Sequence, residues 1–395
     1  MPAAAHGIGG RADLPVPIGY FLVGAGIVLV LSFLALAAWW KTPRFQNGPM
    51  VRATGAAVGR RLSGVLSALG LLMLLLVIVA GLFGVQNGTR NVAPVMVWVV
   101  FWLVVPFVSA IAGNVYADLN PWRSLSRLLM AGGEERSELL ARWGVLPAAA
   151  AFFAFTWLEL VWPDSSSPST LAVAALVYTL YVLAMAAWAG PKTGLQVGET
   201  FTTYNRLVSA IAPLGRGSDG RIIWRGWLRA LSVIPRWRGL TLFVILMIGT
   251  VSYDGLSGTS WWRDLLGRAS GEIWAETLGM LVISGAIGAA YWGASWVAVA
   301  LAGSSGQRAG AVAASFAHTL VPIALAYAFA HYVTLVLFEG QLLIATISEP
   351  FGQGWALCGT AGGAVEYGLS PEGSGYVQLV VSVGGHVAGV VLAHD

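Results

Sequence analysis

The sequence predicts an all-α protein, a polytopic bundle of about nine transmembrane helices with its N-terminus outside, in which residues 1–395 form a single integral membrane domain. Composition is the first reason, because 57% of the residues are hydrophobic and only 10% are charged, far from the balance of a soluble domain. The spacing of apolar windows and the distribution of basic residues between them are the other two.

Apolar windows of about 20 residues, the length that crosses a hydrocarbon core, recur along the whole chain. The sixth window is closely bracketed by Arg238 and Asp254, so it predicts a short or tilted helix. The nine windows are 18–40, 64–84, 94–113, 145–162, 171–190, 239–254, 275–302, 311–338 and 375–393.

Basic residues are concentrated in alternate connections between these windows. Most of the 22 Lys and Arg residues lie in segments 41–63, 114–144 and 191–238, and Arg308 falls in the next alternate connection. Because short connections rich in Lys and Arg stay in the cytoplasm, this pattern predicts an N-terminus outside and, with nine spans, a C-terminus inside.

Two connections are longer than turns. In segment 191–238 the Trp and Arg residues alternate through "RIIWRGWLRALSVIPRWRG", which predicts a cytoplasmic amphipathic connection lying on the inner membrane surface. Segment 339–374 predicts an external Gly-rich loop. The chain has no visible repeat of about 20–50 residues and no convincing pair of related halves, which disfavours a transporter built on inverted repeats.

Several classes of function are excluded or unsupported. The single cysteine, Cys358, excludes an intramolecular disulfide and a CxxC metal or redox site. The net charge of +4 is spread over the connections without a basic stripe, so no nucleic-acid partner is predicted. GxSxG and P-loop motifs are absent, which leaves a serine nucleophile and a nucleotide site without support.

Three histidines lie inside the last two predicted spans: His318, His331 and His386. Such residues are costly to leave unpaired in a bilayer, so they predict either ligands of a divalent transition metal or haem, or groups that handle protons. The alternative is that each one only hydrogen-bonds a neighbouring helix. Pro322 predicts a bend in the eighth span. A stripe of small residues predicts that the ninth span packs closely on another helix: Gly385, Gly389 and Ala393.

Carboxylates near the ends of spans form a second group. Glu159, Glu276 and Glu339 are placed near the outer boundary, where each could complete an oxygen-and-nitrogen site with His331. The alternative is an interfacial acid that reaches the headgroups. Glu199, with Tyr204 nearby, is predicted to cap a helix or lie on the cytoplasmic surface.

Four stretches carry a resemblance to a known family: "AHGIGGRADLPVPIGYFLVGAGIVLVLSF", "NPWRSL", "FAHTLVPIALAYAFAHY" and "GHVAGVVLAHD". Together they resemble the bacterial integral-membrane family commonly labelled fenitrothion hydrolase-like, over nearly the whole chain. The resemblance implies a multi-pass protein of the bacterial inner membrane that hydrolyses an organophosphorus triester. It implies no established catalytic residues. Members of the family continue past this "LAHD" with a further helix, so a last span is expected beyond Asp395.

The residues and the resemblance combine into one hypothesis and two alternatives. In the hypothesis, a metal held by His318, His331 or His386 polarises the phosphoryl oxygen of a lipophilic triester, and Glu339 or Glu159 acts as general base. The first alternative is a membrane transporter, or a protein that handles metal ions or protons. The second is a non-catalytic membrane subunit that packs against a partner subunit.

Overall fold

A computed structural model of the chain confirms the all-α fold class. Helices form nearly all of the regular structure, and strands occur only as three short segments among the described residues. The structure describes residues 18–45, 52–57, 60–130, 132–217, 220–303, 308–360 and 370–395.

The helices of the first half are α1 (Ile18–Trp39), α2 (Arg60–Phe83), α3 (Val92–Pro94), α4 (Val105–Ala112), α5 (Tyr116–Leu119), α6 (Pro121–Leu129), α7 (Glu138–Trp143), α8 (Leu146–Leu160) and α9 (Pro168–Ala189). Those of the second half are α10 (Pro191–Gly198), α11 (Thr200–Ser209), α12 (Leu240–Ser257), α13 (Ser260–Leu266), α14 (Ile273–Leu301), α15 (Ala309–Phe316), α16 (Val321–Phe338), α17 (Leu342–Ser348) and α18 (Pro371–His394). A π-helix, Val95–Val104, joins α3 to α4, and 3-10 turns occupy Gly267–Ala269, Ala317–Leu320 and Glu339–Gln341.

Among the described residues, seven segments are long and apolar enough to cross a membrane. They correspond to α2, the run from α3 to α4, α9, α12, α14, the run from α15 to α17, and α18. The other two predicted spans fall on α1 and α8. With 15 residues, α8 is apolar but shorter than a full crossing of about 20 residues. The chain is a multi-pass membrane protein, and the count of nine spans and the orientation of the N-terminus stay predictions.

The second half of segment 191–238 differs from the predicted interfacial helix. Two of its strands join a strand of the first connection in a three-stranded antiparallel sheet. The order is β1 (Arg52–Ala57), β3 (Arg221–Trp224), β2 (Leu214–Arg216). The residues after β3 form turns, with positive φ at Gly226, Leu228 and Gly239. These backbone conformations are incompatible with a continuous helix, so the alternation of Trp and Arg does not describe a helical face.

The first half of this segment turns back into the bundle instead of lying on its surface. Helix α9 ends at Gly190, whose φ of 95° reverses the chain, and α10 then runs back along α9. A side chain at Gly194 would lie 2.4 Å from the carbonyl oxygen of Met185, so glycine allows this close approach. After Glu199, α11 runs back to the end of the bundle at which α10 began. Residue 214, which follows α11, lies beside Gly113. We call α10 and α11 the second hairpin.

A first hairpin, formed by α5 and α6, has the same design. It follows α4 and turns at Asn120, and it packs against α2 so closely that a side chain at Gly70 would lie 1.7 Å from the carbonyl oxygen of Leu119. Indole Nε1 of Trp122 donates to the hydroxyl of Thr179 (2.9 Å), halfway along α9. Both hairpins therefore enter from one end of the bundle and turn near the middle of α9.

An ion pair closes that end, which we call the basic end. The guanidinium of Arg216 donates to both carboxylate oxygens of Asp118 (3.1 and 2.5 Å), and the hydroxyl of Ser63 donates to one of them (2.8 Å). Burial acts to raise the pKa of the Asp118 carboxyl, but the hydrogen bonds from Arg216 and Ser63 outweigh it and lower that pKa. The ion pair thus links β2 to the first hairpin.

Helices α16 and α18 pack together as the small-residue stripe predicts. A side chain at Gly385 would lie 2.2 Å from Cβ of Ala326, and one at Gly389 would lie 2.8 Å from the carbonyl oxygen of Thr319. The predicted bend at Pro322 takes another form. The helix is interrupted by the 3-10 turn before it, and Pro322 lies in the first turn of α16, where its missing N–H costs nothing.

The contact between α2 and the first hairpin leads to a prediction. Gly70→Ala should lower the free energy of unfolding by about 3 kcal/mol, because the added methyl group meets a backbone carbonyl that cannot move independently. Gly64→Ala, in the same helix and with open space around it, should change stability by no more than about 1 kcal/mol, on the stabilising side. Thermal unfolding of both variants in detergent measures the difference. Equal melting temperatures would show that the first hairpin does not pack on Gly70.

Candidate functional sites

Two of the predicted histidines contact backbone carbonyls three or four residues before them in the chain. Nδ1 of His318 lies 2.9 Å from the carbonyl oxygen of Ser315, and Nδ1 of His386 lies 2.8 Å from that of Ser382. A carbonyl oxygen only accepts, so Nδ1 carries the proton in both rings. Both contacts are to the local backbone, so they differ from the predicted hydrogen bonds to a neighbouring helix.

The described residues contain no group of three or more His, Cys, Asp or Glu side chains that could hold a metal ion. His318, His331 and His386 are therefore not brought together as one such group. Metal binding by any one of them stays a prediction.

The third histidine belongs to a buried cluster between α12 and α16. Nε2 of His331 lies 2.8 Å from Oδ2 of Asp254, and the hydroxyl of Tyr332 donates to the same oxygen (2.8 Å). Asp254 and Tyr332 are almost fully buried, while 27% of the His331 side chain is exposed. Gly255 faces the same cluster, since a side chain at this position would make ordinary van der Waals contact with Tyr327 and His331. We call Asp254, His331 and Tyr332 the Asp254 cluster.

The two predicted acids differ in their distance from this cluster. Glu159 is 4% exposed and accepts a hydrogen bond from indole Nε1 of Trp102 (3.1 Å). It is close enough to Tyr332 and Tyr204 to interact electrostatically with both. Glu339 is half-buried in the 3-10 turn about two helical turns beyond His331. Of the two predicted acids, Glu159 interacts electrostatically with a member of the Asp254 cluster, Tyr332. Neither acid is an observed partner of His331.

The partner of His331 was not predicted. In the sequence, Asp254 marks only the boundary of a short predicted span. An aspartate inside an otherwise apolar window is a signal in itself, because an intramembrane acid usually has a partner. Its partner lies 77 residues away, which no local pattern indicates. The third acid, Glu276, accepts from the hydroxyl of Tyr253 (2.7 Å) and indole Nε1 of Trp262 (2.9 Å).

A second buried carboxylate lies where the two hairpins meet. Glu199 has no exposed surface and caps α11, so the predicted capping role is confirmed and the predicted surface position is wrong. Its carboxylate oxygens accept hydrogen bonds from six donors: the hydroxyls of Tyr116 (3.2 Å), Tyr178 (2.8 Å) and Thr202, the amide of Asn120 (3.1 Å), and the backbone N–H groups of Phe201 (3.0 Å) and Thr202 (2.7 Å). We call Glu199 and these donors the tip cluster.

The tip cluster is built from two helix N-termini. Asn120 caps α6 through the N–H of Arg123 (3.0 Å), and its amide donates to Glu199, which caps α11. Burial raises the pKa of the Glu199 carboxyl, while the hydrogen bonds from Thr202, Tyr178 and the N-terminus of α11 favour the ionised form and oppose that rise. The carboxylate therefore joins both hairpins to the middle of α9.

A cavity of about 740 Å³ adjoins the tip cluster. It lies between α2, α8 and α9, and Tyr116 and Tyr178 form part of its wall. Its other lining residues are mainly apolar and aromatic, and the Asp254 cluster contributes none of them.

Comparison with known proteins gives no relative for this chain. No family model, no curated protein and no solved structure matches it. The fold and the two buried clusters define a multi-pass membrane protein with ionisable groups in its interior. The resemblance to the fenitrothion hydrolase-like family stays a prediction.

The tip cluster leads to a second prediction. Glu199→Gln should lower the free energy of unfolding by about 2–4 kcal/mol, because the new amide group faces donors where the carboxylate accepted from them. Glu272→Gln is a matched control, since Glu272 stands at the N-cap of α14 without a side-chain capping bond and is exposed. It should change stability by less than about 0.5 kcal/mol. Chemical unfolding in detergent measures both changes, and equal values would contradict the assigned network.

Proposed function

We propose that this protein is a proton-handling membrane protein of the transporter class, in which Asp254 and His331 take up and release protons. The observation that carries the proposal is the 2.8 Å contact between Nε2 of His331 and Oδ2 of Asp254 inside two membrane-crossing helices. Ionisable residues within membrane spans are costly, and they commonly mark pathways for protons, ions or substrates.

The chemistry of the pair suits reversible protonation. The imidazole of His331 can bind and release a proton at a ring nitrogen, and the Asp254 carboxylate 2.8 Å from Nε2 can accept that proton. Tyr332 also donates to Oδ2 of Asp254, so this oxygen still accepts a hydrogen bond after His331 has lost its proton. His331 is the most exposed member of the Asp254 cluster, so it is the natural point of proton entry.

Glu159 extends the pathway towards the centre of the bundle. It interacts electrostatically with Tyr332 and with Tyr204, and Tyr204 packs against Trp102, the donor to Glu159, with ring centroids 5.2 Å apart. A proton leaving the Asp254 cluster would meet this second acid.

The proposal predicts the behaviour of variants in sealed vesicles. Wild-type protein should dissipate an imposed pH gradient, measured with a pH-sensitive dye inside the vesicles. Asp254→Asn and His331→Gln should each slow dissipation at least about tenfold, because both remove a titrating group. Glu276→Gln should leave the rate unchanged, since Glu276 bonds Tyr253 and Trp262 outside this cluster.

The vesicle experiment needs a check on folding. Each variant should elute with wild type on size exclusion, and Tyr332→Phe, which keeps the ring, should slow dissipation less than Asp254→Asn. Wild-type vesicles that match protein-free vesicles would overturn the proposal. So would equal rates for Asp254→Asn and Glu276→Gln.

A second candidate function is hydrolysis of a lipophilic organophosphorus triester, as the family resemblance implies. One observation favours it: a carboxylate holds the imidazole of His331 in place, as in enzymes whose histidine acts as general base. In this reading His331 is the base and Asp254 orients it, in place of Glu339 or Glu159. The substrate would already be concentrated in the bilayer.

This candidate predicts release of a nitrophenol. Purified protein should cleave a dialkyl nitrophenyl phosphorothioate, followed by the absorbance of the product. His331→Gln should lower kcat at least about 100-fold, the typical contribution of a general base. Glu276→Gln should keep wild-type kcat. No turnover by folded wild-type protein would remove the hydrolase candidate and leave proton handling in place.

A further inference from the structure

We propose that the cavity beside the tip cluster binds one uncharged aromatic molecule, which enters sideways from the bilayer between α8 and α9. The volume of about 740 Å³ falls within the usual range for small-molecule sites, about 300–1,000 Å³. The inference does not depend on proton handling, because none of the lining residues belongs to the Asp254 cluster.

The walls determine the charge of the ligand. The lining residues include no Asp, Glu, Lys, Arg or His. The three tyrosines that line the cavity already use their hydroxyl protons, because Tyr116 and Tyr178 donate to Glu199 and Tyr181 donates to a backbone carbonyl such as that of Gly198 (3.1 Å). A charged ligand would meet no counter-charge here and would lose its hydration. The site therefore fits an uncharged molecule.

Aromatic side chains make the walls selective for flat rings. Some of them already pack edge to face, as Trp122 and Tyr178 do with ring centroids 4.8 Å apart. Ring pairs in offset or edge-to-face geometry gain energy beyond the burial of their area, which a saturated chain does not gain. Other aromatic lining residues include Trp98, Phe101, Phe155, Trp157 and Phe201.

The entrance lies between α8 and α9. Ala150 and Ala154 of α8 line the cavity and are also exposed. Val177 of α9 lines the cavity as well, and it is 60% exposed. Residues that both line a cavity and reach the surface mark its opening. Helix α9 is long and apolar enough to cross the membrane, so this opening faces hydrocarbon, where a lipophilic aromatic molecule is already concentrated.

The test uses benzophenone, an uncharged two-ring ketone that adds to nearby C–H bonds on illumination and reacts readily with methionine. Protein in lipid nanodiscs is illuminated with increasing benzophenone, and the labelled residues are mapped by mass spectrometry. Labelling should saturate at Met73 and Met96, which line the cavity. Naphthalene should compete with it, and palmitic acid should not.

Two tryptophan variants of exposed residues provide the matched comparison. Ala154→Trp places an indole in the entrance and should reduce labelling at both methionines at least tenfold. Val173→Trp adds the same indole to an exposed position of α9 that does not line the cavity, and it should label as wild type does. Asp254→Asn should also label normally, which separates this inference from the proposed function.

Three results would overturn the inference. Labelling of folded wild-type protein that never saturates would show that no site exists. Equal loss of labelling in Ala154→Trp and Val173→Trp would show that the entrance lies elsewhere. Competition by palmitic acid and not by naphthalene would show that the cavity holds a lipid acyl chain instead of an aromatic molecule.

Discussion

Glu199 places a carboxylate in the middle of the bundle. The groups that donate hydrogen bonds to this carboxylate hold several elements in place. Since water does not reach it, the donors come from protein: the N-terminus of α11, Asn120 at the tip of the first hairpin and Tyr178 in the middle of α9. Separating the two hairpins would uncover a charge in an apolar interior. The positions of Phe201 in the cavity wall and of Tyr204 beside Trp102 both depend on this constraint.

The sequence predicts the parts of this fold that local chemistry controls. Hydropathy locates the long helices because about 20 apolar residues are needed to cross the hydrocarbon core. The spacing of Gly385 and Gly389 predicts close packing, and the structure confirms it between α16 and α18. The hairpins could not be predicted this way. Helices α10 and α11 are too short for a span and, with the polar Glu199 between them, do not form an apolar window.

The buried clusters show the same division. Sequence analysis selects His331 and Glu159 because ionisable residues inside apolar windows are unusual. The partner of His331, Asp254, depends on the packing of α12 against α16, and the donors to Glu199 come from three helices and from the turn between α5 and α6. His318 and His386 have the same sequence signal as His331, but their rings bond carbonyls of their own segments. Residue type thus identifies candidates, and only tertiary contacts separate those in a cluster from those that satisfy the local backbone.

The small sheet at the basic end has a consequence for biosynthesis. Its strand β1 precedes α2, while its partner β3 follows α11, so Arg52 pairs with Trp224, which is synthesised 172 residues later. A ribosome must therefore deliver five long or apolar helices to the membrane before the central strand exists. Until then the first connection has no backbone partner in this sheet. The early helices therefore enter the membrane before this sheet exists. The sheet can join their connections only after the second hairpin has been made.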